Sequence, residues 1–417
     1  MKKLLTVALV AAMGIGCIFA SGSSEKSNAK EEGPVTLTFM VNMTNTQADL
    51  LQQISNEYEA ESGNKVEFSA PGSSYEELMK TKMSANECPD LFTTHGWSVL
   101  RYSEYLEPIN DLSWAGDINP QIKPVITDDD GNMFVLPMDV DVAGIVYNVS
   151  VLEEAGVDVD DIKTWDDFQD ACAKIKAIGK DPIHMGGKDS WTIGQFFDWA
   201  APSFLITNDE DNQREELKSG NFSVEKWEEV AQLMADMVAK GYFNSDALTA
   251  DYSSDLKALA GGTAAFGFYG NYAFNAAKEY NPDAKLGMMP VPSKDSSDAP
   301  TLISGERTAV GVFNDSEHKA AAIEFLNFLA RPENIARMAV SDGSPAGLTT
   351  ATADLGDLKP FYEKYADVET FPYFDRVYLP SGMWDVMCAT GADILAEKPN
   401  AVANAAKTMA ENFNDKF

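Results

Sequence analysis

Residues 35–41 read Val35-Thr36-Leu37-Thr38-Phe39-Met40-Val41. Apolar side chains alternate with threonines and then run together, as they do in a strand covered on both faces. Thr46 to Ala60 follows with Leu50, Leu51, Ile54 and Tyr58 on one helical stripe, and Gly63-Asn64 closes it. Lys65-Val66-Glu67-Phe68 is the next short strand, Tyr75 to Ala85 the next helix, and Pro89-Asp90-Leu91-Phe92 the third strand. Strand, helix, strand, helix, strand predicts an open parallel α/β sheet.

The same grammar returns further on. Met133 to Pro137 and Ala143 to Tyr147 read as strands joined by Asp139-Val140-Asp141. Thr164-Trp165-Asp166-Asp167 opens a helix with Thr164 as N-cap and Asp167 at the capping-box position, and Gly179 stops it. Phe222 to Val238 is a long amphipathic helix, Ala264 to Tyr269 a short apolar strand, and Lys319 to Leu329 a helix stopped near Arg331-Pro332. Asp128-Asp129-Asp130-Gly131-Asn132 has the look of a calcium loop but lacks the closing Glu of a twelve-residue EF-hand, so a solvated turn is expected there.

Charge excludes several functions. Lys and Arg total 32 against 65 Asp and Glu, a formal net charge of −33. So negative a surface repels phosphate backbones and anionic headgroups, which argues against nucleic-acid partners and basic membrane patches. Hydrophobic residues at 45% supply a sizeable core and exclude extended disorder. Three His and four Cys show no zinc-ligand spacing, and no metal site or cofactor is expected.

The N-terminus sets the compartment. Lys2-Lys3 and the following apolar run to Ala20 form an export signal over residues 1–20, and 21–33 is a polar flexible tether. Met13-Gly14-Ile15-Gly16-Cys17 has the form of a loose lipobox, which would lipidate Cys17; Ile18-Phe19-Ala20 before Ser21 also reads as a plain cleavage site. The product is expected in the periplasm or on the outer face of the cell membrane, touching the membrane only through such an anchor.

Four motifs in order carry a resemblance. Gly131-Asn132-Met133-Phe134-Val135-Leu136-Pro137 with Val146-Tyr147-Asn148, Thr164-Trp165-Asp166-Asp167-Phe168, Gly262-Thr263-Ala264-Ala265-Phe266 with Gly270-Asn271-Tyr272, and Phe325 to Ile335 occur along the chain. Together they resemble the extracellular solute-binding proteins of bacterial ABC importers, in particular the carbohydrate-binding group that includes maltose-binding protein. The resemblance implies two hinged α/β lobes of the type II arrangement, with ligand in the cleft between them. It places lobe 1 at 34–140 and 266–312, and lobe 2 at 141–265 and 313–417. Crossings are expected near Asp139–Ala143, Ala264–Gly267 and Gly311–Asn314.

A neutral sugar needs aromatic rings against its C–H faces and polar groups for its hydroxyls, whereas a carboxylate ligand calls for an Arg fork. Six Arg against seven Trp, fourteen Tyr and 22 Phe favour carbohydrate. Ligands of open α/β sheets sit at strand ends, which selects the candidates. Asn42 follows the first strand; His95 and Trp97 follow the third. Asp139 and Asp141 lie in the first crossing, two residues apart and so on one side of the chain. Tyr272 matches the family's stacking aromatic, with Tyr in place of the usual Trp. Trp191 and Trp384 follow glycine-containing loops, and Glu306 precedes the third expected crossing.

The resemblance implies a monomeric binding protein, not an enzyme, that captures a sugar by hinge closure and delivers it to the transmembrane subunits of an ABC permease. Two alternatives stay open. One is an exported glycoside hydrolase, for which Asp139 and Asp141 would be the carboxylates. The other is a binding protein for a polyamine, an organic acid or a metal complex.

Overall fold

The computed structural model describes residues 33–417 apart from 44, 95–101, 129, 209–211 and 306. The leader, nearly all of the tether and Cys17 therefore lie outside the described residues. Eleven strands follow in chain order: β1 Thr36–Met40, β2 Lys65–Ser69, β3 Leu91–Thr94, β4 Leu136–Pro137, β5 Asp141–Asn148 and β6 Asp181–Ile183. Then come β7 Ala264–Gly270, β8 Leu286–Met289, β9 Leu302–Gly305, β10 Ala309–Val312 and β11 Thr370–Pro372.

They form two sheets. The first has the order β2-β1-β3-β10-β4; its opening three strands are parallel, as expected from residues 35–92, and β10 runs antiparallel to β3 and β4. The second has the order β11-β9-β5-β7-β6, with β8 pairing β5. The helices Asn45–Ser62, Lys319–Leu329 and Pro332–Asp342 pack with the first sheet, where Phe39, Leu51, Phe325 and Met338 are buried together. A separate core lies on one face of the second sheet, built from Phe168, Phe196, Trp227 and Phe266 under the helices Trp165–Ala177, Trp191–Leu205, Val224–Ala239 and Ala401–Lys416.

Local chemistry explains the element ends. Thr164 and Asp167 form the expected reciprocal capping box, each side chain taking the other's backbone N–H. Asn148 accepts from the Val151 N–H as an N-cap and donates 2.7 Å to the Leu259 carbonyl, tying β5 to the helix Tyr252–Gly261. Asp128 takes the N–H groups of Asp130 and Asn132, so its acidic loop is a self-satisfied turn as expected.

The crossings correct the expectation from resemblance. The first holds, running between β4 and β5 through residues 138–140. The second lies between β9 in the second sheet, which ends at Gly305, and β10 in the first, which opens at Ala309, and it passes through Arg307 and Thr308. The third follows the helix Pro332–Asp342 through residues 343–347. Ala264–Gly270 is no crossing: every residue of β7 is buried, and it lies inside the second sheet between β5 and β6. Residues 266–305 therefore belong with the second sheet, and the helices of 319–342 pack with the first. An all-apolar, small-residue strand reads alike whether it passes between sheets or sits central in one, which is why sequence misplaced it.

These three segments are stitched together. Met138 N–H donates to Thr308 O at 2.8 Å, Val140 N–H to Pro345 O at 2.9 Å, and Asp139 bridges Ala346. Within the second sheet the packing is equally close at Gly144, where a Cβ would lie 2.2 Å from the Met289 carbonyl oxygen. Gly144→Ala should thus force β5 and β8 apart and cost about 1–3 kcal/mol in urea unfolding. Gly116→Ala, with open space at its Cβ position, should stay within about 0.5 kcal/mol of the parent; equal stability of the two variants would contradict this packing.

Candidate functional site

The crossings gather charged and aromatic side chains from distant parts of the chain. Asp139 is fully buried, and its Oδ1 accepts the backbone N–H groups of Arg307 at 3.2 Å and Thr308 at 3.0 Å. That grip fixes the start of the Arg307 side chain, whose guanidinium lies over the Tyr272 ring, 4.4 Å from its centroid. Such a stack is a cation–π contact.

Tyr272 opens the helix Tyr272–Lys278 directly after β7. Its hydroxyl is straddled by the Gln195 amide, with Nε2 at 2.8 Å and Oε1 at 3.1 Å. Burial pushes the Tyr272 hydroxyl well above the usual tyrosine range, and the negative charge of Asp141 adds to this. Asp141, at the start of β5, accepts the Tyr373 hydroxyl on its carboxylate and the Ser304 hydroxyl on its backbone carbonyl. Arg376 lies over the Tyr373 ring at 3.6 Å. Two tyrosines, each covered by an arginine, thus flank one buried aspartate.

Two glycines make the approach possible. A Cβ at Gly270 would meet Asp141 Oδ1 at 2.7 Å and the Tyr272 ring at 2.8 Å, and one at Gly305 would meet Tyr373 at 2.8 Å. Their absent side chains are the space the site occupies.

Trp191 begins the helix Trp191–Leu205, four residues before Gln195 and so on the same helical face. Its indole meets Tyr252 at 4.8 Å and Tyr269 at 6.1 Å, both edge-on. Trp384 packs against Gly194 of that helix, where a Cβ would be 3.1 Å from the indole. Asn42, half-buried at the end of β1, is paired with Thr93 through its backbone N–H at 2.9 Å and its Oδ1 at 3.0 Å. His95, Trp97 and Glu306 lie outside the described residues.

The structure therefore joins Tyr272, Asp139 and Asp141 in one constellation, with Trp191 adjoining it through Tyr252. The candidates drawn from the sequence omitted Gln195, Tyr373 and Arg376; Arg307 stands beside Glu306 in the loop the sequence singles out. For Gln195 the four-residue spacing from Trp191 was the available signal; Tyr373-Phe374-Asp375-Arg376 offered none.

Comparison with known proteins gives the family. The chain matches the profile of the bacterial extracellular solute-binding proteins over residues 42–336. It belongs to that family. The melibiose/raffinose/stachyose-binding protein MelE of Bacillus subtilis is 33% identical over 380 residues, covering 90% of this chain and 88% of that protein. A sugar transporter from Bacillus licheniformis, solved in complex with stachyose, is 34% identical with a TM-score of 0.83 and covers 92% of this chain and all of its own. A binding protein from Bacillus subtilis solved in an open conformation is 31% identical with a TM-score of 0.84, covering 92% of this chain and 98% of its own. The two sheets are thus the two lobes of the family's hinged α/β fold.

Behind the site, Asp198 of the helix Trp191–Leu205 is almost wholly buried and accepts the Asp375 N–H at 2.7 Å. Burial, with the nearby Asp375 charge, pushes its carboxyl up to about 7, while Arg376 pulls the other way. Its folded value lies above the ordinary ~3.9 of an unfolded aspartate, so the folded state holds the extra proton. The resulting stability is complete below about pH 4 and is lost as pH rises through about 7. Subtracting the curve of Asp198→Asn from that of the parent isolates this group. The difference should fall by a few kcal/mol between about pH 4 and 7; a flat difference curve would show that Asp198 is ionised throughout.

Proposed function

We propose that this chain is the exported saccharide-binding component of an ABC importer, taking sugars of the melibiose, raffinose and stachyose kind. The observation that carries the reading is the 33% identity to MelE across nine-tenths of the chain. The chemistry of the site agrees with it. Half-buried Tyr272 offers a ring for sugar C–H groups, while Gln195, Arg307, Asp141 and Arg376 hold donors and acceptors suited to hydroxyls. Asp139 and Asp141 are buried beside the site and accept hydrogen bonds from the protein, and two acids there suit an uncharged ligand better than an anion.

In this reading Tyr272 stacks on the sugar and Trp191 adds an aromatic wall. Asn42, His95 and Trp97 contribute from the ends of first-sheet strands, Glu306 from the second crossing, and Trp384 from outside the Tyr272 constellation. Ligand bridging both lobes stabilises the closed arrangement by its greater affinity for that state. The closed form is what the permease subunits recognise. No bond is made or broken, so the protein is not an enzyme, and Asp139, occupied with the backbone of the crossing, is a poor acid for glycoside hydrolysis. The leader directs export, and Cys17, left at the mature N-terminus by cleavage after Gly16, carries the lipid that holds the protein at the outer face of the cell membrane.

A thermal-shift series tests the ligand class. Melibiose, raffinose or stachyose at a hundred times Kd should stabilise the protein by about 2.7 kcal/mol by mass action. If a polyol phosphate such as glycerol 3-phosphate shifts the transition and no saccharide does, the sugar assignment is wrong. Tyr272→Ala should weaken saccharide binding at least about tenfold in calorimetry while the unliganded protein stays folded; unaltered affinity would remove Tyr272 from the site. Mass spectrometry of protein from native membranes should find a diacylglyceryl-modified Cys17 at the mature N-terminus; a chain beginning at Ser21 would rule the anchor out.

A further inference from the structure

Buried polar atoms in folded proteins nearly always find a hydrogen-bond partner, so an exception carries information. Among the described residues, the Tyr252 hydroxyl oxygen is buried and has none. It sits beside the site rather than in a remote core. The Tyr252 ring meets Trp191 edge-on at 4.8 Å and Tyr269 at 5.2 Å. Burial, with Tyr272 nearby, pushes the Tyr252 hydroxyl well above the usual tyrosine range, while nearby Arg307 pulls the other way.

The placement of the ring is well determined. Tyr252 is the first residue of the helix Tyr252–Gly261, capped by Asp251, and its backbone N–H donates to Asp189 Oδ2 at 2.9 Å. The hydroxyl is thus held in position by groups other than itself. Tyr269, in the same cluster, is the contrast. Its hydroxyl donates to Asp255, which also accepts the Gly186 N–H at 2.8 Å and lies 2.7 Å from His184 Nδ1. One tyrosine is satisfied by the protein, and its neighbour is not.

A buried hydroxyl without a partner costs free energy, and phenylalanine would fill the same space without that cost. The oxygen of Tyr252 therefore does nothing for the unliganded fold. We propose that Tyr252 is a ligand-contacting residue whose hydroxyl hydrogen-bonds a hydroxyl group of the bound saccharide. It would select sugars bearing a hydroxyl at the matching position, because a deoxy analogue leaves the tyrosine unpaired. This rests on the saccharide-binding reading above.

Isothermal calorimetry with raffinose on the parent, Tyr252→Phe and Tyr269→Phe proteins tests it, with melting temperatures recorded before ligand is added. Tyr252→Phe should raise Kd for raffinose about tenfold or more and leave the unliganded melting temperature unchanged or higher. Tyr269→Phe should lower the unliganded melting temperature, since it strips a partner from buried Asp255. If the parent binds raffinose and Tyr252→Phe binds it equally well, the proposal fails while the sugar-binding reading stands. A lower melting temperature for Tyr252→Phe with unchanged Kd would assign the hydroxyl a structural role and overturn the proposal. If the parent binds neither raffinose, melibiose nor stachyose, both fail together.

Discussion

The carboxylate of Asp139 is the constraint on which the rest of the site depends. It is fully buried and accepts two successive backbone N–H groups, from Arg307 and Thr308, so one charge satisfies donors that a bare crossing would leave stranded. Residues 344–347 lie against the same segment from the other side, through the Val140 N–H to the Pro345 carbonyl and the Asp139–Ala346 bridge. Three chain passages are thereby fixed in one register. The Arg307 side chain leaves from the clamped backbone and reaches Tyr272, so the geometry of the aromatic site is set by a group that need not touch ligand.

This arrangement also reconciles the charge of the chain with a neutral ligand. A net charge of −33 would by itself suggest a cation-binding cleft. Yet two of only six arginines fall on the two tyrosines that flank Asp141. Concentrating scarce positive charge beside buried acids lowers the local field, and the excess acids remain as a solvated, self-repelling exterior. Scarcity of arginine in the sequence was read as a sign of an uncharged ligand, and the site retains that meaning although it contains arginines. Each lies over a tyrosine ring of the protein.

What could be read in the sequence follows from the range of the interactions concerned. The parallel strands β1 to β3, the Thr164 capping box and the Asp128 turn are local, and each is encoded within a few residues. Asp139, Asp141 and Tyr272, at strand ends and at a motif position, are candidates the sequence offers on its own, and the fold brings them together. The second and third crossings were not legible in the sequence. Whether β7 is a passage or a central strand depends on which distant strands pair with it, here β5 and β6, and no local period records that. Gln195 comes from one segment and Tyr373 with Arg376 from another, and the two meet only once the second-sheet core has formed. Gly270 and Gly305 mark the meeting place, but a glycine in sequence does not say which ring it makes room for.

The tyrosine at position 272 shows what such remote contacts add. The family motif favours a tryptophan there, which would offer a wider stacking face and a single N–H donor. A phenol hydroxyl both donates and accepts, and the Gln195 amide presents one group of each kind to it at 2.8 and 3.1 Å. With Gly270 tight against one edge and Arg307 over a face, the ring has little freedom left. A smaller ring held in one orientation gives up contact area but loses less entropy when a sugar arrives. The contact with Arg307 then becomes the term a ligand must match. A saccharide that stacks on the covered face has to displace the guanidinium, which favours ligands whose hydroxyls can re-engage it. On the binding reading proposed above, selectivity at this position rests with the Tyr272–Arg307–Gln195 group acting together, and the aromatic residue is one part of it.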